Sequence, residues 1–441
     1  MTYTSLHTSA FADLDAATGA KAQLAADIAR YLALMTPEAA LRALDQVALS
    51  KRAEVFGYLP FGRQLELTQA MPRAQLAQLV SAMSADERAD LFRRLGEGIK
   101  VPLLAALAQA ERDDLLKLSA HRQGTAGAIM TSEYCTVDND MTVSQAIAAL
   151  RQSAPVAETI YQAYVLDSQR RLAGVLSLRD LVLAEPDATV ASLAGDRVVS
   201  APVGCPQEQV ARLINEYDLL ALPIVNDQRQ LVGIVTCDDA MDVVVDEATE
   251  DFHKRACIAS HVGNLRDATI GLLYRKRVLW LVLLVFGNLF SGAGIAAFED
   301  VIAANIVLVF FLPLLVDSGG NAGAQSATLM VRALATGEVV LRDWIKLLGR
   351  ECLVALALGL TMAAAVALLG FARGGPDVAA IVASSMVIIV IIGSVIGMSL
   401  PFLLSRLHLD PATASGPLIT SIADAAGVLV YFAIATQVLE L

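Results

Sequence analysis

One acid, Asp424, stands alone in the last apolar stretch of the chain, with 13 uncharged residues between it and Asp410 and 15 before Glu440. A carboxylate in mid-span costs roughly 2.5–3.5 kcal/mol on insertion scales and marks an ion or proton path. The alternative is an acid satisfied by a neighbouring helix, but no basic residue stands at matching depth. A second stretch with chemistry is "DSGGNAGAQSAT", from Asp317 to Thr328, closed by Arg332. Gly319, Gly320 and Gly323 permit close backbone approach. Asn321, Gln325, Ser326 and Thr328 offer neutral oxygens of the kind hard cations take. The third set is acidic: Asp238, Asp239, Asp242, Asp246, Glu247, Glu250 and Asp251. Spacings of three and four put Asp239, Asp242 and Asp246 on one helical face, and Glu247, Glu250 and Asp251 on a neighbouring one.

The elements that carry the first two sets are membrane spans. "VLWLVLLVFGNLFSGAGIAAF", Val278 to Phe298, is 21 uncharged residues, enough to cross a bilayer. A second apolar run begins at Val301 and continues through the glycines, since no ionisable group separates Asp317 from Arg332. Cys352 to Ala372 is a third span, Val378 to Ser405 a fourth, and Pro411 to Val438 a fifth. Gly393 and Gly397 give the fourth a GxxxG close-packing motif. "YRKR" before the first span, Arg332, Arg342, Lys346 and Arg350 after the second, and Arg406 after the fourth all fall on one side. The positive-inside rule places the N-terminal part in the cytoplasm and the C-terminus outside.

The chain's 441 residues favour two to four domains. Of its 33 basic residues 27 precede Val278, as do 35 of its 45 acids, so the soluble part carries about −8 of the net −12. That balance argues against nucleic acid and fits a cationic partner. The five cysteines show no CxxC spacing, so neither a zinc knuckle nor a disulfide framework is expected. The N-terminal stretch lacks a basic region followed by an apolar core, so no cleaved signal is expected.

Within the soluble part, "AYVLDSQRRLAGVLSLRDLV" matches "LPIVNDQRQLVGIVTCDDAM" at an offset of 59 residues, seen at Gly174 and Gly233. Each copy predicts strand, turn, strand and a helix opened by Ser177 or Thr236, after an amphipathic helix. The pair resembles a CBS-domain pair, a regulatory module. Such pairs often take an adenosine nucleotide such as ATP. Asp180 and Asp239 are the acids placed for a ribose, but Leu219 and Leu220 stand where a stacking ring is needed, so nucleotide binding is not the expectation. Leu24 to Leu118 reads as short helices forming a small superhelical domain, with Ser84 and Glu87 at capping-box spacing.

In this order the pieces resemble the MgtE family of magnesium channels, from the helical domain to the last helix. The residues that carry the likeness are "GGNAGAQSATLMVRALATGEV", "LPFLLSRLHLDPATASGPLITSIADAAG" and "DEATEDFHK". The resemblance implies a homodimer in the bacterial inner membrane, with a pore on the dimer axis and a cytoplasmic Mg²⁺ sensor. Its expected parts are a flexible N-terminus (1–22), an all-α N domain (23–122), two α/β CBS domains (123–190 and 191–245), a connecting plug helix (246–277) and a five-helix pore domain (278–441). It places pore-ion contacts at Asp424, Gly319, Gly320, Asn321, Gly323 and Gln325. It places regulatory Mg²⁺ at Asp239, Asp242, Glu247, Glu250 and Asp251, with Glu208, Glu216 and Asp218 opposite and Glu54, Asp86 and Asp90 on the N domain.

In a twofold dimer two copies of Asp424 repel unless a dication sits between them. Two departures from the family pattern bear on ion preference: the extra acid Asp317, and Gly416 where a polar side chain is expected. The rival is a coupled transporter or exporter of Co²⁺ or Mn²⁺, and the absence of internal symmetry among the spans speaks against it. An enzyme is not expected. The five histidines form no HExxH motif, and no nucleophile–base pair or phosphate loop stands out.

Overall fold

The computed structural model describes residues 24–195, 198–256, 258 and 268–440. The expected flexible segment 1–22 and much of the connector after Arg255 lie outside the described residues. The chain divides into two compact units, Met1–Val245 and Asp246–Leu441.

The first unit opens with helices α1 (Ala25–Leu32), α2 (Pro37–Asp45), α3 (Leu49–Gly57), α4 (Phe61–Ala70), α5 (Arg73–Ser81), α6 (Ala85–Arg94), α7 (Glu97–Ala106) and α8 (Gln109–Ser119). None is long enough to be stable alone, so tertiary packing must hold each one. Each touches the helix two further along, which is how a superhelical stack closes. Leu44, Phe56, Leu67, Leu79, Leu91 and Leu115 fill its core. Ser84 precedes α6 as expected, but its hydroxyl caps no backbone N–H. It lies instead against the carboxylates of Asp86 and Glu87.

The repeat forms two three-stranded sheets of identical topology. After a short helix α9 (Ala126–Ile129), β1 (Tyr134–Asp138) leads through α10 (Val143–Ser153) to a parallel partner β2 (Thr159–Leu166), which pairs antiparallel with β3 (Leu172–Ser177). Helices α11 (Leu178–Leu183) and α12 (Val190–Leu193) follow. The second copy runs β4 (Ala201–Pro202), α13 (Gln207–Glu216), β5 (Ala221–Val225) and β6 (Leu231–Thr236) with the same pairing. Val165 opposes Gly174 in one sheet and Ile224 opposes Gly233 in the other, so the 59-residue offset holds to the register. The hairpin tips match too: Arg170 and Arg229 both adopt φ 61°. The two hairpins meet where Leu172 N–H donates to Arg229 O at 3.0 Å. The apolar core of the helical stack is continuous with that of the second copy, through Met130, Leu222, Ile224 and Val235.

Helix α14 (Cys237–Arg255) leaves β6 directly. The membrane unit then holds α15 (Ile270–Ala297), a short α16 (Glu299–Ala304), α17 (Val307–Ala335), α18 (Trp344–Arg406) and α19 (Gly416–Val438). Among the described residues four stretches are long and apolar enough to cross a bilayer, and the third covers Leu341–Arg406. That stretch is no single rod. Gly375 has φ 79° and ψ −167°, a left-handed-side conformation natural to glycine, with Pro376 next to it. Beyond this point the chain returns along itself. A Cβ on Gly370 would lie 2.9 Å from Ala379 Cα, and one on Gly359 would lie 2.9 Å from Val387 Cα. Helix α18 therefore consists of two antiparallel legs that turn within "FARGGPD", the loop between the expected third and fourth spans.

Helix α17 runs unbroken through the glycines as expected, and Pro313 is accommodated inside it. Its glycines meet the second leg of α18. A Cβ on Gly393 would sit 2.1 Å from Gly319 O, and one on Gly397 would sit 2.0 Å from Gly323 O. Two GxxxG faces thus run parallel with backbone against backbone, the geometry small residues allow in lipid. Helix α15 rests on α19 by Gly294 against Val428, and most of its apolar side chains point outward, as a lipid-facing helix requires.

Candidate cation path and acidic interface

The membrane site starts from α19. Ser415 caps this helix by accepting from Leu418 N–H, and Pro417 occupies its first turn, where a missing donor does no harm. Thr420 and Asp424, four residues apart, then share one face. That face meets α17 at Gly320: a Cβ there would lie 2.9 Å from the Thr420 methyl and 3.4 Å from Asp424 Oδ1. Gly320 leaves the carboxylate room that any other residue would fill.

Asp424 is half-buried, and Asp317 is close enough for the two charges to interact. Asp317 is exposed and accepts a hydrogen bond from Asn321 Nδ2 at 2.9 Å. Asn321, Gln325 and Thr328 continue along the exposed face of α17 and line an open groove of about 630 Å³. Among the pore residues expected from the sequence, Asp424, Gly320, Asn321 and Gln325 therefore cluster on or beside one face. Gly319 and Gly323 do not share it: they are buried against Ile389 and Gly393, where they serve helix packing.

The acidic site of the first unit gathers around Asp86. Asp86 is partly buried as a residue, but its Oδ1 is fully buried and has no hydrogen-bond partner. Burial raises its pKa, and so does the charge of Asp90. Asp239, at the start of α14, is hydrogen-bonded by the Thr236 hydroxyl. Burial first, and then the charge of Asp86, push Asp239 up to about 8. Glu158, just before β2, is pushed to about 7 by burial and by the charges of Asp86, Glu133 and Asp238. Glu87 reaches about 7, again mainly by burial. Asp86 and Asp239 were expected here, but Glu158, Glu87 and Glu133 were not. They come from segments far apart in the chain, and no local spacing links them.

Direct bonds hold this interface as well. Buried Arg88 lies 3.5 Å from Glu133 and 3.6 Å from Asp114, Arg93 donates to Ala128 O at 2.7 Å, and Ser132 donates to Asp114 at 2.9 Å. Asp90 is paired with Arg93, and Glu54 with Lys51 at 2.9 Å. Glu208 and Glu216 sit near the two ends of α13, with Asp218 just beyond at φ 50°, and all three are exposed. Asp180 is engaged in its own capping box with Ser177, which leaves less of it for a ribose. In the second unit Lys254 bridges Glu250 at 2.9 Å and Asp410 at 2.6 Å. Burial and the nearby Asp410 charge raise the Asp251 pKa. Asp242 lies exposed on α14 and Glu247 is partly buried. Among the described residues no three His, Cys, Asp or Glu side chains converge closely enough to ligate one ion directly.

The raised pKa values have a signed consequence. An acid whose folded pKa lies above its unfolded value stabilises the fold fully below the unfolded value, and that contribution is lost as pH rises through the folded one. For Glu87, Glu158 and Asp239 the loss falls between about pH 4 and pH 8. Without divalent ions, amide exchange on α6, corrected for intrinsic rate, is expected to be faster at about pH 8.5 than at about pH 6.5. Millimolar Mg²⁺ should flatten the difference. Equal protection at both pH values without Mg²⁺ would contradict this electrostatic picture.

Comparison with known proteins places these features in one family. Residues 312–434 match a family model described as a divalent cation transporter. Residues 24–124 match the MgtE intracellular N domain, and 126–187 and 190–246 match CBS domains. The chain is 39% identical to the magnesium transporter MgtE of Thermus thermophilus over 394 residues, 89% of this chain and 88% of that one. It is 35% identical to MgtE of Bacillus subtilis, over 90% and 87% of the two chains. A solved cytosolic domain of the Mg²⁺ channel MgtE in complex with ATP is 36% identical, covering 50% of this chain and 90% of that one, with a TM-score of 0.49. The chain belongs to the MgtE family of divalent cation transporters.

Proposed function

We propose that this protein is a homodimer that conducts Mg²⁺ into the cytoplasm, closes when cytoplasmic Mg²⁺ rises, and has no enzymatic activity. The observation that carries the reading is the half-buried Asp424 carboxylate on α19, facing Gly320 beside the groove of Asn321 and Gln325. Two such carboxylates across a twofold axis repel one another and attract a dication. Mg²⁺ gives up its water reluctantly, so carboxylate and amide oxygens around a hydrated ion make a filter suited to it. The two legs of α18 give five crossings in all, with the N-terminal unit cytoplasmic and the C-terminus outside.

Regulation falls to the acids. The buried, unpartnered Asp86 Oδ1 next to Asp239 and Glu158 fits a cation that keeps some of its water, since direct coordination by three side chains is not formed. Bound Mg²⁺ would offset the repulsion at this interface, and a second set around Glu247, Glu250, Asp251 and Asp410 would do the same on α14. A ligand shifts such an equilibrium only through its differential affinity for the closed state. Neutralising Asp239, Asp242 and Glu247 together is expected to leave uptake intact and to raise the internal Mg²⁺ needed for half-inhibition several-fold. Flux assays that find unchanged inhibition in this triple variant would remove the sensor.

The extra acid Asp317 bears on ion preference, and the rival reading is a coupled transporter or exporter of another divalent cation, Co²⁺ or Mn²⁺. Proteoliposome flux decides between them. A channel passes Mg²⁺ down its own gradient whether or not a proton or sodium gradient is imposed, whereas a coupled carrier requires one.

A further inference from the structure

The membrane unit holds a second cavity, whose lining does not include Asp424, of about 450 Å³. Its wall is apolar, made by Trp344, Ile396, Leu400, Leu403 and Ile422, and Arg406 stands in its lining. Leu403 and Ile422 remain exposed although they belong to spans. In lipid such a space does not stay vacant, because its walls would forgo their dispersion contacts.

Two polar groups in this lining lack partners. Arg406, in the last turn of α18, makes no hydrogen bond or ion pair among the described residues. Its position suits the helix dipole, but that leaves five guanidinium donors unused. Ser399 lines the same cavity, and its buried hydroxyl also has no partner. It is seven residues before Arg406, about 10 Å along the helix. Arg342, Lys346 and Arg350, spaced by four and all exposed, add positive charge near the Trp344 end of α18.

We propose that this cavity binds one anionic glycerophospholipid. Its phosphate meets Arg406, an ester carbonyl accepts from the Ser399 hydroxyl about two turns away, and an acyl chain fills the apolar space. An unpaired cation at the end of an apolar wall, with one unpaired hydroxyl along that wall, pairs with the charged headgroup, ester and acyl chain of an anionic phospholipid. Basic pockets between spans bind anionic headgroups by this charge complementarity. The proposal rests on the membrane reading of this unit but not on Asp424 or on Mg²⁺ conduction, so lipid retention and ion flux can succeed or fail separately.

The test is native mass spectrometry of the delipidated full-length protein, given phosphatidylglycerol or phosphatidylcholine with the same acyl chains. Wild type should retain phosphatidylglycerol at least about fivefold better, a difference of about 1 kcal/mol. Arg406→Gln should erase the preference, and Ser399→Ala should weaken retention while keeping it. Inorganic phosphate at equal concentration should displace nothing. Equal retention of both lipids by wild type would overturn the proposal without recourse to any variant. So would a preference that survives in Arg406→Gln, or displacement by phosphate. A disulfide between chains carrying Leu403→Cys, formed in high yield in native membranes, would show that a second copy of the chain fills the cavity and would equally overturn it.

Discussion

Mg²⁺ uptake by Asp424→Asn is expected to fall roughly 10- to 100-fold, equivalent to about 1.4–2.8 kcal/mol of lost ion stabilisation. Asparagine keeps the size and hydrogen-bonding capacity of the side chain and removes only its charge. If the carboxylate were a structural group satisfied by its neighbours, the amide would serve nearly as well. Attraction for a dication scales with charge and is strong where water is sparse, so the ion-binding role fails with the amide. Asp317 does not compensate, because Asn321 already engages its carboxylate. Asp424→Ala should behave the same way, with the protein still present in the membrane. Uptake by Asp424→Asn within about twofold of wild type, in cells lacking other uptake systems, would contradict the role assigned to this residue.

Gly393→Leu and Gly397→Leu are expected to prevent assembly of the membrane unit. A Cβ at these positions would come within 2.1 Å of Gly319 O and 2.0 Å of Gly323 O. Both obstructing atoms are backbone and cannot rotate aside, so the helices must part along their whole parallel contact. The cost exceeds about 3 kcal/mol per site, beyond ordinary overpacking. Gly349→Ala is the matched control, since a Cβ there meets nothing within 4 Å. Size-exclusion profiles in mild detergent should show the control as a sharp peak and both leucine variants as aggregate. A sharp, transport-competent Gly393→Leu would mean that this contact is not close in the working protein.

Much of this was legible in the sequence because lipid imposes strict rules. Long uncharged runs have to be helices, and an acid among them has to be accounted for. The repeat at Gly174 and Gly233 was equally legible, because a strand register is copied when a module is duplicated. The GxxxG motif at Gly393 announces close packing but not its partner: Gly319 and Gly323 stand among polar residues suited to an ion path, and the sequence alone leaves both packing and ion contact open to them. The capping box at Ser84 failed for a related reason. Spacing reports what a helix start can do locally, whereas here the hydroxyl turns to two buried carboxylates. Glu158, Glu133 and Arg88 left no signal, since each gains its meaning only when β2, α6 and the segment after α9 come together. Side-chain clusters built from distant segments are properties of packing, and no periodicity encodes them.

In the proposed dimer two copies of Asp424 face each other across the twofold axis, with room for a hydrated ion between them. Cross-linking of Asp424→Cys in native membranes, in a background whose other cysteines are serine, measures this directly with a short bifunctional thiol reagent. A covalent dimer in high yield is the predicted result. A chain that reacts with the reagent yet stays monomeric would place the side chain away from the axis and contradict the claim.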